Sequence, residues 1–330
     1  MNNEEYLSID EFADAVKDKL QAYYADECIV SVNSVTKNND QRKHGITIKR
    51  KGYTSAPNIY LDDAYEEYIQ GKSLERITSE LICLRNKCKD EVEFDADLFT
   101  DYNWVRGRLG IRIINRMKNA RLLTDVPHRD FADMALVFYV AIDDESIGKG
   151  TILIHNEHMT MWDISSDRLY DDALASSLRN NPPYMADMVE ALIDILRGEE
   201  ETEGLNLPVS DEELREKLYR SLPDRGLMYV LSNQSKLNGA SVIAYPGMLN
   251  DIAQKLGCDY YLLPSSIHEV IILPMCDDDE RGEELSMLVK DVNNSKLKPD
   301  EVLSDHAYRY HRLSNWLEPI YEYMITESAS

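Results

Sequence analysis

Met134-Ala-Leu-Val-Phe-Tyr-Val-Ala-Ile142 runs without a charged side chain. A run this short, rich in aromatic and β-branched residues, predicts a central strand of a sheet. Gly150–Ile154 is expected to pair with it. Upstream, Leu109–Met117 places apolar residues at odd positions and Arg112 and Arg116 at even ones, Gly110, Ile114 and Asn115 apart. That alternation predicts a half-buried strand.

Around these strands the helical period recurs. Ser8-Ile-Asp-Glu11 is a capping box, and Ile9, Phe12, Val16 and Leu20 follow at helical spacing. Extended β-branched segments come next, at Ile29–Val35, Ile46–Arg50 and Asn58–Leu61, with turns expected at Gly45 and Gly52. Leu74, Ile77, Leu81 and Leu84 line one face of a helix after a Ser73 cap. Two further helices are expected at Ser166–Leu178 and Tyr184–Leu196, the second stopped by Gly198.

Beyond them, strands are read at Leu227–Leu231, Ala240–Tyr245, Asp259–Leu263 and Ile267–Leu273. Pro246 and Gly257 bracket a helix between the second and third, Asn238-Gly239 marks a tight turn, and Asp277–Glu284 opens another helix. The expected fold class is α+β, with mixed or antiparallel sheets and packed helices. The C-terminal unit is read as strand-strand-helix-strand-strand-helix. Two units are expected, at 1–104 and 105–330, the second with an acidic excursion at 199–223.

The chain has 60 acidic against 36 Lys and Arg residues, a formal charge of −24. Such a balance disfavours direct nucleic-acid or anionic-bilayer binding, which needs a broad cationic footprint. No apolar run approaches the roughly 18 residues of a spanning helix. Met1–Tyr6 has neither a basic n-region nor an apolar h-region, so no secretory signal and a cytoplasmic location are expected. Five cysteines without framework spacing fit reduced thiols.

Several segments are familiar in combination. They include Ser235-Lys-Leu-Asn-Gly-Ala240, Tyr245-Pro-Gly-Met-Leu249, Tyr261–Pro274, Val126-Pro-His-Arg129 and Leu303-Ser-Asp-His306. Val35-Thr-Lys-Asn-Asn39, His44-Gly45, Tyr60-Leu61 and Tyr65-Glu-Glu-Tyr68 belong to the same pattern. Together, from about Glu11 to Arg312, the chain resembles the domain of unknown function 5688 family of anaerobic gut Firmicutes. A fainter likeness to the domain of unknown function 1444 family covers Thr151–Leu174 and the C-terminal strands. The first resemblance implies a cytoplasmic bacterial protein. Neither implies a reaction or a catalytic residue.

Candidate chemistry is therefore read from the residues alone. His128-Arg129-Asp130 mimics a kinase catalytic loop, but position 135, where that loop needs Asn, is Ala. His128 and Arg129 are read instead as local hydrogen-bonding residues after Pro127. Ser265, Ser266, His268 and Glu269 offer the residue types of a nucleophile, base and carboxylate. Neighbours on a strand point to opposite faces, so a tight turn is the simpler reading. His155-Asn-Glu-His158 lacks a third ligand, and Asp305-His306 with His311 reads as the polar face of a strand; no metal site and no cofactor are expected. Tyr102–Leu123 carries six basic residues and no acidic one, a reversal of sign within an acidic chain. Arg108, Arg112 and Arg116, with Arg129, form an anion-binding candidate or an internal counter-ion stripe.

The leading expectation is a non-catalytic interaction or regulatory protein whose partner is another protein. One alternative is a hydrolase using His128 or the Ser265–His268 segment. The other is an acidic nucleic-acid mimic or mobile-element accessory factor.

Overall fold

A computed structural model describes residues 6–52, 56, 58–87, 96–144, 148–203, 210–221, 228–276 and 279–321. The chain forms two compact units, Met1–Thr100 with Ala141–Thr151, and Asp101–Val140 with Ile152–Ser330.

In the first unit, the Ser8–Glu11 capping box opens α1 (Ile9–Tyr24). The Ser8 hydroxyl accepts from the Glu11 N–H, and the Glu11 carboxylate accepts from the Ser8 N–H at 2.8 Å. Each satisfies a donor the helix cannot. α1 buries Phe12, Ala13, Val16 and Leu20. β1 (Cys28–Thr36), β2 (Arg42–Arg50) and β3 (Asn58–Tyr60) form an antiparallel sheet in that order. α2 (Asp62–Ile69), α3 (Leu74–Lys87) and α4 (Ala96–Thr100) follow. Phe12, Leu20, Ile46, Ile48, Leu61 and Ile77 share one core, each such side chain stabilising by about 1.5–3 kcal/mol on burial.

Two expectations need correction in this unit. Gly45 lies inside β2 opposite Asn33, and the turn falls at Asn38–Asp40, where Asn39 and Asp40 take φ of 61° and 53°. Glycine is needed at position 45 for space: a Cβ there would stand 2.4 Å from side-chain atoms of Asn33 and Asn58. On α3, Leu84 is 48% exposed while Arg85 is 5% exposed. Ile77, Leu81 and Arg85 share the inward row, and the Arg85 Nε donates to the Ile48 carbonyl at 3.0 Å.

The second unit begins with α5 (Tyr102–Arg106) and β4 (Leu109–Asn115). β5 (His128–Phe131), β6 (Met134–Asp144) and β7 (Gly148–Leu153) complete a four-stranded sheet. β6 is central, paired antiparallel with β4 and β5, and β7 also pairs with it. α6 (Asn156–Trp162) and α7 (Ser166–Asn180) come next, then β8 (Pro183–Asp187), α8 (Met188–Glu203) and α9 (Asp211–Ser221). β9 (Tyr229–Asn233), α10 (Met248–Leu256), β10 (Tyr260–Pro264), β11 (Val270–Pro274), α11 (Gly282–Lys296), β12 (Tyr308–His311) and β13 (Trp316–Pro319) finish the chain. The second sheet runs β13-β12-β10-β11-β9-β8, antiparallel throughout. Tyr260 and Tyr308 are fully buried within it.

The α+β class holds, with differences in detail. Tyr184–Asp187 is an edge strand on β9, and the helix starts only at Met188 because Asp187 accepts from the Val189 and Glu190 N–H groups. That helix also continues through Gly198 to Glu203. Gly239–Ala244 is a 3₁₀ segment, not a strand. Asn238 enters it at φ 53°, and a Cβ on Gly239 would meet the Ser232 hydroxyl at 2.1 Å and the His268 carbonyl at 2.5 Å. Within the expected acidic excursion, 204–209 and 222–223 lie outside the described residues, as do Leu227 and Asp277.

Candidate functional site

Arg108, Arg112, Arg116 and Arg129 each find a neighbour of their own. Only Arg112 sits within β4; Arg108 and Arg116 flank the strand. The Arg108 guanidinium lies 4.1 Å from the centroid of the Trp104 ring and donates to the Trp104 carbonyl at 3.0 Å. Arg116 pairs with Asp130 at 3.3 Å. Arg129 stacks on Tyr170 at 3.9 Å and pairs with Asp167. Arg112 stands 5.6 Å over Tyr139, and burial pushes its pKa down, Tyr139 opposing. The register sets Arg112 and His128 on either side of Val137, in one row of the sheet. His128 is exposed, with its Nδ1 3.0 Å from the Val126 carbonyl, to which it donates.

Ser265–Glu269 is the turn between β10 and β11. The Ser265 and Ser266 N–H groups both donate to the Glu269 carbonyl, at 3.2 and 3.1 Å. The Ser266 hydroxyl accepts from the His268 N–H at 3.0 Å, and the Ser265 hydroxyl lies 3.5 Å from the Glu269 carboxylate. His268 accepts at Nδ1 from the Asn238 N–H at 3.1 Å, which puts the ring proton on Nε2. Its carbonyl accepts from Ser232 at 2.8 Å. Burial lowers the His268 pKa, with the Glu301 and Glu269 carboxylates opposing and the Arg112 cation adding to it. The ring is thus a neutral acceptor holding the 3₁₀ entry against the turn.

At the start of α6, His158 Nδ1 accepts from the His155 N–H at 3.0 Å, and His155 reaches Asp125 at 2.7 Å. Among the described residues no group of three or more His, Cys, Asp or Glu could hold a metal ion.

A further constellation escaped the sequence reading. Asp133, in the turn between β5 and β6, accepts the Tyr308 hydroxyl at 2.6 Å and lies 3.0 Å from His306 Nε2. The other ring nitrogen of His306 is 3.4 Å from the Ser304 hydroxyl. Burial would raise the Asp133 carboxyl, but hydrogen bonds from His306 and Tyr308 outweigh it and hold it below its ordinary value. The His306 ring packs against Tyr308 and Tyr321, at 4.9 and 4.7 Å. Asn115 and Asn293 grip the carbonyls of Leu303 and Ser304, and Lys118 pairs with Asp305 at 2.7 Å. Serine, imidazole and carboxylate stand in the order of a hydrolytic triad. Ser304, however, is 1% exposed and accepts from the His306 N–H, and its own hydroxyl, 3.0 Å from the Tyr308 oxygen, donates there because the phenol gives its one proton to Asp133. The cluster therefore clamps the Leu303–His306 segment to the β5–β6 turn. That segment stood out in the sequence; nothing local pointed to Asp133.

The opposite end of β12 differs. Arg312–Asn315 turns the chain into β13, braced by Arg312, whose N–H donates to Asp259 at 3.0 Å and whose side chain donates to the Gly257 carbonyl at 2.6 Å. The Tyr310 hydroxyl donates to Asn315 at 2.8 Å. On this braced hairpin Leu313 is 98% exposed and Trp316 59% exposed.

Among the described residues no helix is long and apolar enough to cross a membrane. No curated protein and no solved structure matches the chain. The model of a family of unknown function, DUF5688, matches residues 9–312, which carries the first resemblance and not the second.

Proposed function

This chain belongs to the family of unknown function DUF5688, and on that premise we propose that it works by binding a protein partner, as an interaction or regulatory protein without catalysis. The observation that carries this reading is the β12–β13 hairpin, which holds Leu313 and Trp316 out to solvent on a braced base. A rigid, exposed tryptophan gives large contact area at little entropic cost, as in the central anchors of protein interfaces. The candidate catalytic groups support it from the other side. Ser266 and His268 accept from the chain's own N–H groups, and His128 donates to its own loop.

The test compares the full chain with a Leu313→Ala/Trp316→Ala variant. Cross-linking in a lysate of the source cell, followed by mass spectrometry, should recover a defined partner linked near the hairpin. The variant should lose that partner while its thermal midpoint stays within about 2–4 °C of the parent, the shift expected for about 1 kcal/mol. Turnover of an ester, amide or phosphoester panel by the purified chain, abolished by His268→Ala or His128→Ala, would establish the hydrolase reading instead. Recovery of a DNA-binding protein through acidic surface residues, unaffected by the hairpin change, would favour the nucleic-acid mimic.

A further inference from the structure

Cys258 follows the glycine that ends α10, and Cys276 follows β11 by two residues. β10 and β11 pair with Tyr260 opposite Pro274, and the Met275 N–H donates to the Asp259 carbonyl at 3.0 Å. Continued one step past that hydrogen bond, beyond the end of both strands, the same register would set Cys258 opposite Cys276. Opposed residues in an antiparallel ladder lie about 4.5–5.5 Å apart at Cα and put their side chains on one face. A disulfide needs roughly 4.4–6.8 Å between those atoms. Both cysteines line one cleft of about 530 Å³, with Asp259, Arg309 and Arg312. Both are free thiols, Cys276 exposed and Cys258 partly so.

We propose that Cys258 and Cys276 are a dithiol pair that closes to a disulfide by exchange with a small-molecule disulfide. The exposed Cys276 thiolate attacks one sulfur of the small disulfide, forming a mixed disulfide and expelling one thiolate. The Cys258 thiolate then attacks the Cys276 sulfur and expels the second. Two protein thiols are oxidised and one disulfide is reduced to two thiols, which take up the two protons released. The new bond ties the end of α10 to the end of β11 across the mouth of the cleft. This modification site does not depend on the binding function proposed above.

The experiment uses the purified full chain, equilibrated with oxidised glutathione, quenched with acid and digested without reduction. The expected product is a Cys258–Cys276 cross-linked peptide two hydrogens lighter than its parts, with no glutathione retained at either cysteine. Cys258→Ser should instead trap a glutathione mixed disulfide at Cys276. Either of two results would overturn the proposal: a stable mixed disulfide at Cys276 in the parent chain, or Cys276 linked only to another cysteine or another chain. The variant keeps its thermal transition if it is folded, so a failure to react is separable from a failure to fold.

Discussion

Replacing Tyr308 by Phe removes one oxygen from a fully buried ring and leaves the packing volume of the sheet unchanged. That oxygen donates to the Asp133 carboxylate at 2.6 Å. Burial pushes the Tyr308 pKa far up, with Asp133 adding to it, so the phenol stays a donor across the accessible range. A hydrogen bond to a charged group contributes about 1.5–3 kcal/mol. The Asp133 side chain is 29% exposed and keeps His306 beside it, so water replaces part of the loss and the lower end, about 1.5–2 kcal/mol, is expected. For a unit of this size that lowers the thermal midpoint by about 3–8 °C. Denaturant and thermal unfolding followed by circular dichroism at pH 7 measure it directly. The pH dependence gives a second readout. The folded Asp133 carboxyl is held below its ordinary value. Its stabilisation is therefore complete above the unfolded value, about 3.9, and is lost as pH falls through the lower, folded one. The gap between parent and variant should be widest above about pH 5 and should close in acid. A difference below about 0.5 kcal/mol at pH 7, or one that grows in acid, would refute the clamp.

Gly239→Ala drives a Cβ into backbone atoms of His268 and Asn233, at 2.5 and 2.7 Å. It should destabilise by about 1–3 kcal/mol or more, whereas Gly107→Ala, with nothing within 4 Å of the new Cβ, should change the unfolding midpoint little. Arg85→Leu strips the Ile48 carbonyl of its buried donor and should lower stability by about 1–3 kcal/mol in urea titration. His268 should titrate below about 6.5 because its ring is buried. The stability owed to the neutral ring is then present above that value and lost as pH falls through and below it. Nitrogen-detected NMR should show the Nε2–H tautomer, and an Nδ1–H ring or a pKa above the ordinary value would contradict the hydrogen bond from Asn238.

In α1, β4 and β6 local chemistry determined the type of element and what it buries. Ser8 and Glu11 satisfy the first turn of α1 wherever it packs, and the unbroken apolar run of β6 has no side to offer water, so it became the central strand. The alternation around Arg112 likewise survived as β4. These features depend on residues a few positions apart, and sequence spacing records them.

Tertiary structure decided whatever depends on a distant chain. Gly45 looked like a turn because glycine permits one, but its missing Cβ makes room for Asn33 and Asn58 inside a strand. Ala240–Tyr245 has the composition of a strand, yet β9 takes β8 and β11 as its neighbours, and the segment coils instead, its entry against the Ser232 hydroxyl and the His268 carbonyl and its Ala240 N–H donating to the Ile267 carbonyl. Tyr184–Asp187 has helical periodicity but finds the open edge of β9 first. The arginine stripe was legible as charge, while its partners, Asp130, Asp167 and the faces of Trp104 and Tyr170, were set by strand register and helix packing. Asp133 meets His306 and Tyr308 across more than 170 residues of chain. No periodicity encodes such a meeting, because it exists only once both sheets are folded.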